Sequence, residues 1–194
     1  MKQYALIGFT FLLLGCRSTS PEPRPHIMQP HEGDYLWFFH ESKDELGSGG
    51  ELQIFIDPQR HPEAKASFAK FTLGVGGNLP VHRHDKTEEI AYFLAGEGAV
   101  VVLDADEKEM EVPVSAGFVW YNPPGAWHAI KNTGATPLSL VFATVPNEKK
   151  GLLSFFRRIG VEPGKEGIPL SLEELARIAA EHDMVLRAPD AAEH

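Results

Sequence analysis

The residues with the clearest chemical potential are His82, His84 and Glu89. The two histidines are two apart within residues 80–84, a stretch that reads as a strand. Strand side chains alternate between faces, so both imidazoles leave the same side. Glu89 opens the next predicted strand, beyond the turn Asp85-Lys86-Thr87-Glu88. An antiparallel partner strand can set its carboxylate beside the rings. Two imidazoles and a carboxylate from one hairpin suit a first-row divalent ion. His128 starts a later strand, after the turn Pro123-Pro124-Gly125. Taken alone, a histidine at a strand start is more often structural or simply exposed.

Glu88 competes with Glu89 for the carboxylate role, and strand parity separates them. Glu89, Ala91 and Phe93 share one face, whereas Glu88, Ile90 and Tyr92 share the other. Glu89 is the expected inward residue. The aromatic residues near these positions in sequence, Phe93, Trp120, Tyr121 and Trp127, are candidates for a substrate pocket, although each is equally suited to core packing.

Short strands must position these residues. They are expected at 35–39, 52–56, 66–73, 80–84, 89–94, 98–103, 109–114, 117–121, 127–132 and 137–144. Turns rich in Gly, Pro, Asn and Asp separate them, among them Gly96-Glu97-Gly98 and Asn132-Thr133-Gly134. Strands of this length and spacing predict an antiparallel barrel or sandwich. After Pro146 the pattern turns helical. One helix is expected over 152–159, ending at Gly160, and another from the capping box Ser171–Glu174 to about residue 182. These helices should pack on the outside of the barrel or on a second subunit, which makes them the candidate surface for a homodimer.

The chain of 194 residues carries a formal net charge of −9, which disfavours nucleic acid and anionic lipid headgroups as partners. Its single cysteine, Cys16, excludes an intrachain disulfide. Met1-Lys2 precedes an apolar run of about a dozen residues, the layout of a secretory signal and too short to span a bilayer, which takes about 20. Leu13-Leu14-Gly15-Cys16 resembles a bacterial lipobox. That resemblance implies cleavage before Cys16, lipidation of its thiol, export, and a membrane anchor in the cell envelope. Arg17 in place of Asp favours the outer membrane over retention at the inner one. Residues 1–15 are then a signal peptide and 16–33, with Pro21, Pro23, Pro25 and Pro30, an extended tether. Residues 34–146 form the barrel and 147–194 a helical extension.

Two spaced motifs carry a further resemblance. Gly76, His82-x-His84, Glu89 and Gly96 are separated by five, four and six residues. Gly117, Pro123-x-Gly125, His128 and Asn132 are separated by five, two and three. In order and spacing they resemble the two defining motifs of the cupin superfamily, over residues 50 to 145. The resemblance implies a double-stranded β-helix, a jelly-roll barrel of the RmlC-like kind, with two short C-terminal helices. It implies one divalent transition metal (Fe, Mn, Ni, Cu or Zn) held by His82, His84, Glu89 and His128, and structural turns at the glycines and proline. The Gly49-Gly50 turn and the tail from Leu153 onward are similar to small single-domain cupins of the quercetin-dioxygenase-like group.

Such a site could bring O₂ and an enolate together, with Glu89 alternating between ligand and general base. The expectation is a dioxygenase-like oxidoreductase acting on a small organic molecule. The alternatives are a redox-neutral isomerase, lyase or decarboxylase, and a non-catalytic binder of a sugar or other small ligand. The remaining histidines, His26, His31, His61, His182 and His194, are expected to be solvated, and His40 to pack in the core, lie exposed or line the barrel mouth.

Overall fold

The structure, a computed structural model, describes residues 25–188. The expected signal, Cys16 and the first half of the tether therefore lie outside the described residues, as does His194. Among the described residues, no helix is long and apolar enough to cross a membrane.

Two sheets face each other. One has the order β1 (Asp34–Phe38), β2 (Gly50–Ile56), β3 (Ser67–Leu73), β10 (Leu138–Val145), β5 (Glu88–Ala95), β8 (Val119–Asn122). The other has the order β11 (Val185–Leu186), β4 (His82–Arg83), β9 (His128–Lys131), β6 (Glu97–Leu103), β7 (Glu109–Ser115). All pairings between these strands are antiparallel. With two helices, α1 (Leu152–Ile159) and α2 (Leu172–Ala180), this is the expected double-stranded β-helix with its C-terminal helices.

Period-2 alternation does most of the work. In β3 and β10 every second residue is buried, so Ala69, Phe71, Leu73, Leu138, Leu140 and Phe142 fill the interior. Each large apolar side chain fully removed from water stabilises the fold by roughly 1.5–3 kcal/mol. Turn chemistry fixes the register. Gly96 sits at φ 83°, and a Cβ there would collide with the Pro137 carbonyl, so the β5–β6 turn needs glycine twice over.

Two strands differ from the sequence expectation. Strand β4 is only two residues long, not five, because Asn78 to Val81 bend around the barrel end and connect through Leu79 N–H to the Ile130 carbonyl. The short strand β11 was not expected. It pairs with β4, with Leu186 opposite His82 and Val185 opposite Arg83.

Helix α1 is not merely an exterior cover, a correction to the expected placement. It buries Leu152, Leu153, Phe155, Phe156 and Ile159, and Leu152 and Phe156 reach the barrel interior. Arg157 clamps it, donating to Asp57 at 2.5 Å and Asp34 at 2.6 Å, both at the open end of the β1–β2 hairpin. Helix α2 starts with the expected capping box, in which Ser171 and Glu174 bond reciprocally, an arrangement whose cap alone contributes about 1 kcal/mol.

Candidate metal centre

Two strands from distant parts of the chain converge on one point. His82 and His84 come from β4 and the residue beyond it. His128 heads β9 and is the direct register partner of His82. The turn Pro123-Pro124-Gly125 is tied to the same place, since Gly125, at φ 83°, donates its N–H to the His84 carbonyl at 2.7 Å. Ring centroids are 4.2 Å apart for His82–His128, 5.1 Å for His82–His84 and 5.3 Å for His84–His128. One nitrogen from each ring lies within 4.8 Å of the other two.

The tautomers follow from the backbone. His82 Nδ1 lies 2.7 Å from the Pro80 carbonyl, His128 Nδ1 3.0 Å from the Ala126 carbonyl, and His84 Nδ1 3.0 Å from the Asp183 carbonyl. A carbonyl oxygen only accepts, so each Nδ1 carries the hydrogen and each neutral ring presents a bare Nε2. The Nε2 atoms of His84 and His128 are buried with no hydrogen-bond partner. An unpaired buried acceptor is costly, so three converging lone pairs need something electropositive between them. A divalent transition metal fits that donor set. Burial pushes the His82 imidazole well below its usual pKa, aided by the neighbouring His128 and His84 rings. Burial also lowers that of His84, while the nearby Glu89 carboxylate works in the opposite direction. Both shifts favour the neutral ring that a metal requires.

Glu89 points inward, as parity requires, and Glu88 outward. Its Oε2 is 3.6 Å from His128 Nε2 and 4.0 Å from His84 Nε2, and the residue is buried. The carboxylate borders the three-nitrogen cluster. It is flanked across the sheet by Asn122 on β8 and Thr144 on β10, both buried. Asn122 Nδ2 is buried without a protein partner, and its place opposite Glu89 makes it a site residue that composition and motif do not signal.

A cavity of about 30 Å³ adjoins the cluster. His82, Glu89 and His128 form one wall; Trp120, Leu140, Phe142, Leu152 and Phe156 are among its apolar walls. No lysine or arginine lines it. Of the four aromatic candidates, only Trp120 faces this space, with its ring 5.2 Å from that of His128. The other three are placed elsewhere. Phe93 is wholly buried core. Tyr121, opposite Ile90 on the outer face, is exposed and donates its hydroxyl to Glu88 at 3.1 Å. Trp127 lies outside the cavity lining, its ring covered by the Arg83 guanidinium at 4.7 Å. The parity of Trp120 with Asn122 would have separated Trp120 from Tyr121.

The other described histidines sit away from the cluster. His40 is buried and bonded to the Lys165 carbonyl. His182 is half-buried rather than solvated, held at 2.9 Å by the Ser154 hydroxyl, which clips α1 to the end of α2. Asn132 is structural: its amide donates to the carbonyls of Leu73, Gly74 and Thr136.

Comparison with known proteins agrees with this architecture. A family profile described as "Cupin domain" matches residues 69–144. An oxalate-binding protein of Thermotoga maritima is 35% identical over 98 residues, covering 49% of this chain and 76% of that protein. An uncharacterized protein of Methanocaldococcus jannaschii is 32% identical over 98 residues, covering 50% of this chain and 74% of its own. Among solved structures, a predicted oxalate decarboxylase from Thermotoga maritima superposes with a TM-score of 0.50 at 26% identity, covering 62% of this chain and 99% of that one. An oxalate oxidase structure aligns over 56% of this chain and 56% of that one, at 23% identity and a TM-score of 0.47.

Proposed function

Because the chain belongs to the cupin superfamily and is a metal-binding cupin, we propose that His82, His84 and His128 hold one divalent transition metal through Nε2, with Glu89 as the fourth ligand. We propose further that the site is a dioxygenase-like oxidoreductase for a small organic molecule that binds through oxygen. The observation that carries this reading is the pairing of bare imidazole nitrogens and a buried carboxylate with an apolar, cation-free cavity. Bound there, the metal would supply Lewis acidity and, if redox-active, one-electron chemistry with O₂. The chain's own residues do the rest. Glu89 accepts the hydroxyl proton of an enol. Trp120, Leu140 and Phe142 bound the small space beside the cluster, and Leu152 and Phe156 keep water from it.

Oxygen uptake by protein loaded with Fe(II), Mn(II) or Ni(II), given flavonols and β-diketones, tests this reading. Uptake no greater than that of a His82→Ala control sinks it.

A redox-neutral decarboxylase or carboxylate binder is the second reading, favoured by the Thermotoga relative named for oxalate. It predicts CO₂ release or thermal stabilisation by oxalate without oxygen. The cavity speaks against a dianion, because no cationic side chain lines it to offset the second charge. We also propose, from Leu13-Leu14-Gly15-Cys16, that the mature protein is lipid-anchored through Cys16 in the cell envelope.

A further inference from the structure

The metal site draws one support from a part of the chain that neither motif contains. Strand β11 and the residue two before it close over β4, the strand that carries His82. Val185 pairs with Arg83 and Leu186 with His82. Arg187 N–H continues the pairing to the Val81 carbonyl at 2.8 Å. At the start of this segment stands Asp183, in left-handed backbone conformation at φ 56°. Its carbonyl accepts the Nδ1–H of His84 at 3.0 Å. Its carboxylate accepts the Thr87 hydroxyl at 2.8 Å and the Lys86 N–H at 3.2 Å. Thr87 is almost completely buried, so this bond is sheltered from water.

The other two ligand histidines are oriented differently. His82 and His128 each bond to a carbonyl two residues earlier in their own strand segment, and so carry their own orientation. His84 has no such local partner. Its ring depends on a carbonyl 99 residues later in sequence. That carbonyl is held in place by side-chain bonds from the turn that follows His84. We propose that Asp183 is a positioning residue of the metal site: it fixes the tautomer and ring orientation of His84 and thereby couples the C-terminal segment 183–187 to metal occupancy. The proposal rests on the metal reading above. Outer-shell partners of this kind typically govern metal affinity by 10–100-fold. Linkage makes the coupling reciprocal, so whatever metal affinity the segment confers, metal returns as order in the segment.

The test uses the full chain with Co²⁺ as the probe, its affinity read by competition with a chelator. Asp183→Gly keeps the left-handed backbone and removes the carboxylate; Asp183→Asn keeps both the backbone preference and an acceptor oxygen. Asp183→Gly should weaken Co²⁺ binding by about 10–100-fold, with Asp183→Asn within about threefold of wild type. In wild type, three hyperfine-shifted, slowly exchanging imidazole N–H signals are expected, one per ligand histidine. Asp183→Gly should lose one of them and keep two, a signature that general destabilisation would not produce. Amide exchange over 185–187 should slow on loading in wild type and much less in Asp183→Gly.

A folded Asp183→Gly with wild-type affinity and all three signals overturns the proposal, as does an Asp183→Asn weakened as much as Asp183→Gly. Should Asp183→Gly fail to fold, Thr87→Val removes the shorter, buried one of the two braces on the Asp183 carboxylate, and unchanged affinity there overturns the proposal. Wild-type protein that takes up no Co²⁺ removes the metal reading itself, an outcome distinct from the others.

Discussion

His82 and His128 are direct antiparallel partners across β4 and β9, their ring centroids 4.2 Å apart. Two proposed ligands therefore depend on one short pairing, and loss of either ring should abolish the site rather than weaken it. His82→Ala and His128→Ala are each expected to purify without stoichiometric metal, measured by elemental analysis of protein prepared without a polyhistidine tag. Metal content equal to wild type in both would remove them as ligands.

On the proposed reading, Glu89 separates binding from chemistry. Glu89→Gln keeps the volume and removes the base, so turnover should fall by about 10²–10⁴-fold, the usual contribution of a general base. Metal should still load, because three imidazoles remain. Steady-state rates beside metal content decide this, and a Glu89→Gln protein with wild-type turnover would assign the proton transfer elsewhere.

Helix α1 sets the size of the cavity. Phe156→Ala removes a ring that is 6% exposed and should cost about 3–5 kcal/mol of stability, read by denaturant unfolding. Leu152→Ala is the milder probe, costing about 2–5 kcal/mol. Either should raise affinity for bulkier β-diketones relative to small ones in metal-loaded protein. No change in that ratio would mean that α1 does not bound the ligand.

Acid should undo the site in a defined direction. The His82 and His84 pKa values are depressed by burial, so in the metal-free protein these rings are neutral when folded and take up protons on unfolding. Unfolded histidine titrates near about 6.5. Stability is thus fully present above that value and falls as pH drops below it, through the depressed folded values. Metal loading should delay the fall, since metal and proton compete for Nε2. Thermal melts of metal-free and loaded protein between pH 8 and pH 4 read both effects; a flat metal-free profile would contradict the burial of these rings.

The anchor is testable apart from the site. Palmitate label should enter the wild-type protein in a bacterial host and be absent from Cys16→Ser. Equal labelling of the two would leave Cys16 without that role.

Much of this could be read from the residues, and the exceptions share a physical cause. His82 and His84 follow from a two-residue spacing on one strand. Glu89 follows from parity, and β5 indeed alternates buried and exposed from Glu89 to Leu94. The ten strands from Asp34 to Val145 announce themselves through alternation and turn residues. His128 is different. Its approach to His82 is set by β9 pairing with β4, a relation between strands that no local pattern encodes, and only the spaced motif pointed to it. Asp183 was invisible because its contribution to His84 is a backbone carbonyl, which every residue has. Helix α1 showed which face was apolar but not that this face would seal the barrel. Periodicity reports that a side chain is buried, not against what.

The placement of β4 between β9 and β11 has a kinetic consequence. Both neighbours of this two-residue strand come from later in the chain, and one from almost its end. Contacts of such long sequence separation close late, after their loop entropy has been offset by other packing. On the proposed metal reading, an ion is therefore expected to be captured by a nearly finished barrel rather than to seed it. Occupancy then reports that synthesis and folding have reached the last strand.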